Sequence, residues 1–343
     1  MNKLKIAILG FGGIARAHYV GYTELLEKNA PIEIVAALDI NLAQFERELR
    51  TNIEGKTVRL APEIHRYTDV DELLANEEFD VADVCLPSYL HCEYSVKMLN
   101  AGKHVLCEKP MALSSEECQK MIDAARKNGK RLMVAQCIRF SNDYRYLKKT
   151  VESGTLGRLK QLTMERMCAL PSWGFENWFQ NAEKSGGCIL DMHIHDVDFA
   201  RFLLGEPEAV SCICYDEDMR WQVQNTRLHY PNLTVIIDGS WGETRGTPFR
   251  SGYRATFAHG TLVTLPGDKV MVYPEDEAPY EAEIEDADMY AEEILFFVNS
   301  ILGDTENEIN PPESAASSVH LIEALRESAA RGGEKISYTT KSF

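Results

Sequence analysis

From Gly186 to Asp198 the chain reads Gly-Gly-Cys-Ile-Leu-Asp-Met-His-Ile-His-Asp-Val-Asp, which sets two histidines, His193 and His195, and three carboxylates, Asp191, Asp196 and Asp198, within eight residues. Read as one helix over 189–204 at ~100° per residue, Asp191, His195, Asp198 and Phe202 project within about 40° of one another while His193 points away. Three chemistries suit these residue types. His193 and His195 could ligate a metal, Asp191 and His195 could form a general acid/base pair, or Asp191 could merely cap a helix.

The elements ahead of this stretch alternate strand and helix. Lys3 to Leu9 is a short, nearly continuous apolar run, as in a parallel strand buried on both faces. Gly10-Phe11-Gly12-Gly13-Ile14-Ala15 then opens an amphipathic segment. Its glycines suit a tight turn and close approach of backbone to a pyrophosphate at the helix N-terminus, and Ala15 suits close helix-strand packing. The next strand, Ile32 to Leu38, ends at Asp39, where a dinucleotide fold places a carboxylate for the ribose hydroxyls; capping a helix over 41–50 is the ordinary alternative. No arginine follows Asp39 directly, which favours NAD, and Arg47 keeps NADP open.

A further buried strand, Val81 to Leu86, runs into Pro87-Ser88 and a helix beginning at His91, a residue more suited to packing and hydrogen bonding than to catalysis. The strand Lys103 to Cys107 leads directly into Glu108-Lys109-Pro110. Ligands of open parallel sheets sit outside the carboxyl ends of the strands, so Lys109 is expected over the cofactor cleft, with Pro110 fixing the local backbone in trans or in cis. Helix 114–128 and strand 131–136 complete the pattern, so the first domain is expected to be 1–136 and the second 137–343.

With a formal net charge of -17 and no basic run, the chain is a poor candidate for nucleic acid or anionic membranes. Nine scattered cysteines without a C-x-x-C pair suggest reduced thiols rather than a disulfide frame. The chain enters a strand at once, with no leader-like segment and no 18-residue apolar run, and is read as cytoplasmic.

From Ile138 the pattern changes. A helix over 142–153 and a strand over 159–167 are followed by a loop holding Trp173 and Trp178; Trp178 could stack on a sugar ring or anchor the loop, and Trp173 reads as an anchor. After Gly205 come short strands at 209–215, 226–230, 234–241, 253–258, 261–264, 269–273 and 280–284, a largely antiparallel set. The helices at 142–153 and 189–204 can cover one face; the other is expected to meet a partner copy in a homodimer or homotetramer. Helices over 288–302 and 313–331 close the chain, and the last helix could pack back on the first domain.

Taken together, Gly10 to Ala15, Pro87-Ser88 with His91, Glu108-Lys109-Pro110, Ile138-Arg139-Phe140, and Gly186-Gly187 leading to Asp191 and His195 resemble the Gfo/Idh/MocA oxidoreductases. The resemblance implies an α/β protein: an N-terminal Rossmann doubly wound parallel sheet and a C-terminal domain with a large open, mostly antiparallel sheet. It implies catalytic roles for Lys109, Asp191 and His195. With the reading above, the cofactor-binding candidates are Gly10, Phe11, Gly12, Gly13, Ile14, Ala15, Asp39, Pro87, Ser88, His91, Glu108 and Lys109. The substrate-binding candidates are Lys109, Arg139, Trp178, Asp191 and His195. No metal is expected. Ser88 stands where the family commonly has asparagine, and His193 where many members have glycine.

The implied reaction is hydride transfer between NAD and a secondary hydroxyl of a sugar, cyclitol or polyol, with His195 as proton acceptor, Lys109 as the cation beside the alkoxide, and Asp191 as a ligand that also polarises His195. Lys109 and His195 could exchange roles. The competing readings are redox-neutral cleavage of a glycoside by oxidation and elimination, and a sugar- or NAD-sensing regulator without activity.

Overall fold

The computed structural model describes residues 3–46, 59–215, 222–267 and 269–343. In chain order its elements are β1 (Leu4–Leu9), α1 (Gly13–Glu27), β2 (Ile32–Leu38), β3 (His65–Tyr67), α2 (Val70–Asn76), β4 (Val81–Val84), α3 (His91–Asn100), β5 (His104–Glu108), α4 (Ser115–Asn128), β6 (Leu132–Ala135) and α5 (Asn142–Ser153). They continue with β7 (Leu159–Ala169), α6 (Ala182–Ser185), α7 (Cys188–Asp191), α8 (Ile194–Leu204), β8 (Ala209–Tyr215), β9 (Val223–Tyr230), β10 (Leu233–Glu243) and β11 (Arg250–Phe257). Last come β12 (Gly260–Leu265), β13 (Lys269–Pro274), β14 (Tyr280–Glu281), α9 (Met289–Leu302), α10 (Pro312–Ala330) and β15 (Ile336–Ser337).

Two units result, one of Met1–Cys137, Asp288–Ala316 and Phe343, the other of Ile138–Ala287 and Ser317–Ser342. The division at 137/138 lies one residue from the boundary read in the sequence, but 288–316 joins the first unit, so α9 is the helix that returns to it. Gly21 shows why: a Cβ there would lie 3.0 Å from the Ala291 amide, so α1 and α9 meet more closely than a larger residue would allow without one of them giving way. Ile294, Phe297 and Val298 of α9 share one buried core with Ile6, Ile8, Phe11, Tyr22 and Leu106. Each such side chain contributes about 1.5–3 kcal/mol by leaving water.

The first unit is a parallel sheet in the order β3-β2-β1-β4-β5-β6, the doubly wound order whose switch point lies between β1 and β4. Its central strands read as unbroken apolar runs because helices cover both faces. The helix expected over 41–50 is a short 3-10 turn, Leu42–Phe45, with the Asn41 side chain accepting from the Ala43 amide. Residues 47–50, Arg47 among them, lie outside the described residues.

The second unit is a nine-stranded sheet ordered β14-β13-β12-β11-β7-β10-β9-β8-β15. All its neighbours are antiparallel except β7 and β10, because β7 enters the sheet between β10 and β11 instead of joining the later meander. The register lines up one apolar row across seven strands: Val210, Leu228, Val235, Leu162, Ala255, Leu262 and Val272. Slipping any strand by one residue would turn its share of that row to the other face. Tyr144 of α5 meets Phe199 of α8 at 4.8 Å and Tyr253 of β11 at 5.4 Å, so both helices lie on the apolar face. The other face carries Thr163, Glu165, Asn225, Arg227, Ile236, Asp238 and Arg254, all half-buried or exposed. Among the described residues, no helix is long and apolar enough to cross a membrane.

Candidate active site

The glycine loop sits at the switch point of the first unit. Gly10 follows β1 with φ of +86°, and a Cβ there would lie 2.7 Å from the Cys85 carbonyl at the end of β4, so this residue is fixed as glycine by backbone and space together. Gly12 differs: a Cβ there meets nothing within 4 Å. It precedes α1, whose N-terminus has no side-chain cap and no acidic residue in its first turn. Open space beside uncapped helix N–H groups fits a pyrophosphate. Asp39 completes the arrangement, accepting the Phe11 amide through Oδ2 at 2.9 Å and the Asn41 amide through Oδ1 at 2.9 Å. Phe11 and Ala15 are buried in the core, so their side chains pack and only their backbone is offered to a ligand.

These facts separate two glycines. Gly12→Val is expected to leave the folded state intact, since its φ of -81° suits any residue. It is expected to weaken NAD binding about tenfold or more, roughly 1.4 kcal/mol, by filling the phosphate approach. Thermal unfolding with NAD titration checks both halves, and unchanged affinity would remove the loop from the site.

Lys109 follows β5, and the Lys109-Pro110 bond is cis. From Val105 to Ala112 every residue is buried except Lys109, which is half-buried. Its neighbours are held from beneath. Glu108 accepts the Lys109 amide through Oε2 at 3.0 Å and faces His18 Nε2 through Oε1 at 2.9 Å. His91 sets its two ring nitrogens 2.7 Å from the Pro110 and Leu86 carbonyls. Burial lowers the His91 pKa, against the pull of those carbonyls. Glu108 and His91, both expected at the cofactor, have side chains that are buried and committed within the protein, as those of Phe11 and Ala15 are packed. Ser88, in a short 3-10 turn after Pro87, is buried as well.

His18, missed in the sequence, lies on the face of α1 that also carries Ala15 and Tyr22. Its Nδ1 faces Asp83 Oδ1 and Oδ2 at 3.1 and 2.9 Å, and Tyr22 donates to Asp83 Oδ2 at 3.0 Å. An ionised carboxylate only accepts, so carboxyl groups facing both ring nitrogens favour the doubly protonated ring, an imidazolium. Burial works to lower its pKa, but Asp83, with Cys85, outweighs this and lifts the value well above 6.5. Glu293 of α9 lies 3.9 Å from His18 Nε2, and neither of its carboxyl oxygens has a hydrogen-bond partner. Burial pushes its pKa well up, against the pull of His18, and so favours its neutral form. Two signals were available: a histidine on an apolar helix face, and an acid, Asp83, inside a strand buried on both sides.

In the second unit the helix expected over 189–204 is broken. Gly186 and Gly187 both adopt positive φ, +75° and +72°, the first ending α6 and the second preceding α7. A step at Met192-His193 then separates α7 from α8. The shared face of Asp191, His195, Asp198 and Phe202 assumed one regular helix; Met192 and His193 keep right-handed helical angles, but the His193 amide reaches the Cys188 carbonyl five residues back, so the spacing of that face is irregular at this point. Asp198 is fully buried and takes two bonds from Arg139, Nε and Nη2 each at 2.7 Å, and one from Ser318 at 2.6 Å. Asp196 is likewise paired, with Arg166 at 2.8 and 3.2 Å. Asp191 belongs to neither of these arginine pairs.

Arg139 was expected to contact substrate. It is 2% exposed, bound to Asp198 and seated 4.7 Å over the Phe202 ring, so its guanidinium is engaged in a buried ion pair. His193 is also buried and lies 2.9 Å from Thr226 Oγ1 through Nε2. Gly239 makes room for it, since a Cβ there would fall 2.6 Å from His193 Nδ1. Burial, then Arg166, lowers its pKa to about 3, leaving a neutral ring. Among the described residues, clusters of three possible metal donors occur only around His18, and none includes His193 or His195.

His195 stands apart from all of these. Between Ser185 and Ala200 every residue is buried except His195, which is half-buried in the first turn of α8. Trp178 stacks on Phe179 at 3.9 Å, and Phe179 meets Trp241 edge-on at 6.1 Å, so one face of Trp178 anchors its loop. Trp173, read as an anchor, is 41% exposed and lies 5.9 Å from Phe179.

Residues 4–136 match the NAD-binding Rossmann fold of an oxidoreductase family, and residues 144–264 match the GFO/IDH/MocA C-terminal domain. The chain belongs to the GFO/IDH/MocA oxidoreductase family. It is 34% identical to the D-glucoside 3-dehydrogenase of Escherichia coli over 61% of this chain and 56% of that protein, so it spans just over half of that relative's length. It is 26% identical to the inositol 2-dehydrogenase of Rhizobium meliloti over 89% of this chain and 86% of that one. A crystal structure of the aldose-aldose oxidoreductase of Caulobacter crescentus, complexed with glycerol, shares the fold at a TM-score of 0.82 and 24% identity, covering 98% of this chain and all of that one. A Rossmann sheet in one unit and a mostly antiparallel sheet in the other is thus the family architecture, with NAD as the cofactor of the first unit.

Proposed function

We propose that the protein transfers a hydride between NAD and a secondary hydroxyl of a sugar, cyclitol or polyol, with Lys109, Asp191 and His195 handling that hydroxyl. The observation that supports this best is shared by two segments. Lys109 alone reaches the surface from 105–112, and His195 alone from 185–200. A buried segment that exposes a single ionisable group places it for a task other than packing.

Oxidising a secondary alcohol requires removal of the hydroxyl proton and stabilisation of the oxygen left behind. His195 takes the proton. Lys109 presents its ammonium to the developing alkoxide, and Asp191 accepts a hydrogen bond from a substrate hydroxyl while polarising His195. Gly12 and the N-terminus of α1 would hold the cofactor's phosphates and Asp39 its ribose; when bound, the nicotinamide supplies the hydride acceptor. Trp178 offers a further contact for a sugar ring. In the cell we place the protein in the cytoplasm, as a homodimer or homotetramer joined through the open sheet face.

Incubating the protein with NAD and a panel of myo-inositol, methyl β-glucoside, D-glucose and sorbitol is expected to give steady NADH formation with at least one member. Glycoside cleavage with co-purified NAD and no net NADH would replace this reading with the redox-neutral one. No turnover of any kind would favour the regulator.

A further inference from the structure

We infer that His18 is a positioning residue for Lys109, acting through the Glu108 carboxylate; this rests on the reading that Lys109 takes part in the chemistry. The route is short and lies wholly within the first unit. Asp83 holds His18 Nδ1, His18 Nε2 holds Glu108 Oε1, and Glu108 Oε2 receives the Lys109 amide at 3.0 Å. Asp83 is itself fixed by Tyr22, and on the far side of Lys109 the Pro110 carbonyl is held by His91. The backbone of residue 109 is thereby pinned on both sides, while its side chain alone leaves the buried segment.

The charges explain why a histidine is used. His18 faces Asp83 from β4 and Cys85 just after it, Glu108 from β5, Glu293 and Tyr290 from α9, and Tyr22 from its own helix. Burial drives Glu293 toward its neutral form, and the two carboxyl groups within hydrogen-bond distance of the ring, Asp83 and Glu108, lie in a dry interior on opposite sides of it, where each needs a donor. A neutral amide at position 18 could donate to one carboxylate while its oxygen faced the other. Glu108 would then lose its partner and be free to leave the Lys109 amide. An imidazolium donates in two opposed directions and satisfies both.

The test is a pair of variants read in kcat and KM well below each melting temperature, with whichever of myo-inositol or methyl β-glucoside the panel shows to be turned over. His18→Gln is expected to lower kcat about 10- to 100-fold, the cost of misplacing a group by about 1 Å, with KM for both substrates within about threefold. Adding Glu108→Gln should restore kcat to within a few-fold of wild type. In that double variant the side-chain oxygen introduced at position 108 can accept the Lys109 amide, and the NH2 beside it can donate to the new amide oxygen at position 18. The NH2 at position 18 can in turn donate to Asp83, so every bond in the route is remade without an unpaired acceptor between positions 18 and 108. A purely structural role would restore the melting temperature and leave kcat low.

Wild-type kcat in His18→Gln, or a double variant that regains stability without turnover, overturns the inference. If neither variant folds, ring-nitrogen NMR of the wild-type protein decides. One of its nine histidines should keep both nitrogens protonated at about pH 8, well above the ordinary histidine pKa of about 6.5, and a full set of neutral rings overturns the inference. Lys109→Met separates the two readings. Normal turnover there removes the role of Lys109 itself, whereas an inactive Lys109→Met beside a normal His18→Gln removes only the role of His18.

Discussion

Lys109→Ala and His195→Ala are each expected to lower kcat by about 10²- to 10⁴-fold, the usual range for losing a positioned acid, base or charge stabiliser. NAD binding should change little in either. Neither side chain is among the groups that shape the glycine loop, where Gly10, Gly12 and Asp39 do the holding. The two losses should not add. Once the proton acceptor is gone the alkoxide forms poorly, and a cation meant to stabilise it has less to act on, so the double variant should resemble the worse single one. Steady-state rates and a cofactor titration by NADH fluorescence measure both effects. Near-normal rates in both single variants would sink the assignment.

Most of the fold can be read from the sequence because its elements obey single periods. The buried parallel strands announce themselves as apolar runs, and α4, α5 and α9 end or begin where Gly129, Gly154 and Asp288 act as caps. The family resemblance supplied the kind of sheet in the second domain, but neither it nor periodicity placed β7 in the middle of that sheet. That placement depends on pairing between residues some 70 positions apart, such as Leu162 with Val235, which no local signal carries. The site was legible in its residue types and less so in its geometry. A helical wheel over 189–204 assumed a regular helix, whereas the His193 amide reaches back five residues to Cys188 and interrupts that regularity. The wheel also treated carboxylates alike, whereas arginines from distant elements divide them: Arg139 takes Asp198, Arg166 takes Asp196, and Asp191 belongs to neither pair. His18 was overlooked for the converse reason. Its importance lies in Asp83 and Glu108, 65 and 90 positions away, and only the folded chain assembles the three.

The largest stability effect is expected from Asp198→Ala. Asp198 ties three separate stretches of the second unit together, through Arg139 before α5, its own helix α8, and Ser318 of α10. Arg201 also donates to Ser318, at 2.6 Å, so removing the carboxylate leaves two arginines and a hydroxyl around a gap. A buried guanidinium stripped of its carboxylate partner typically costs about 3–5 kcal/mol. For a unit of this size each kcal/mol shifts the melting temperature by about 2–4 °C, so a fall of roughly 6–20 °C is expected. Asp198→Asn, which keeps the shape and one acceptor oxygen, should fall by less. Replacing both members, Arg139→Met with Asp198→Leu, should recover much of the loss, because an apolar pair leaves no buried charge behind. The same variants bear on function. If Arg139 instead bound substrate, Asp198→Ala would raise KM with only a modest change in stability; a large loss of stability beside an unchanged KM, in protein assayed well below its melting temperature, identifies the pair as part of the frame that holds α8, and with it His195, in place.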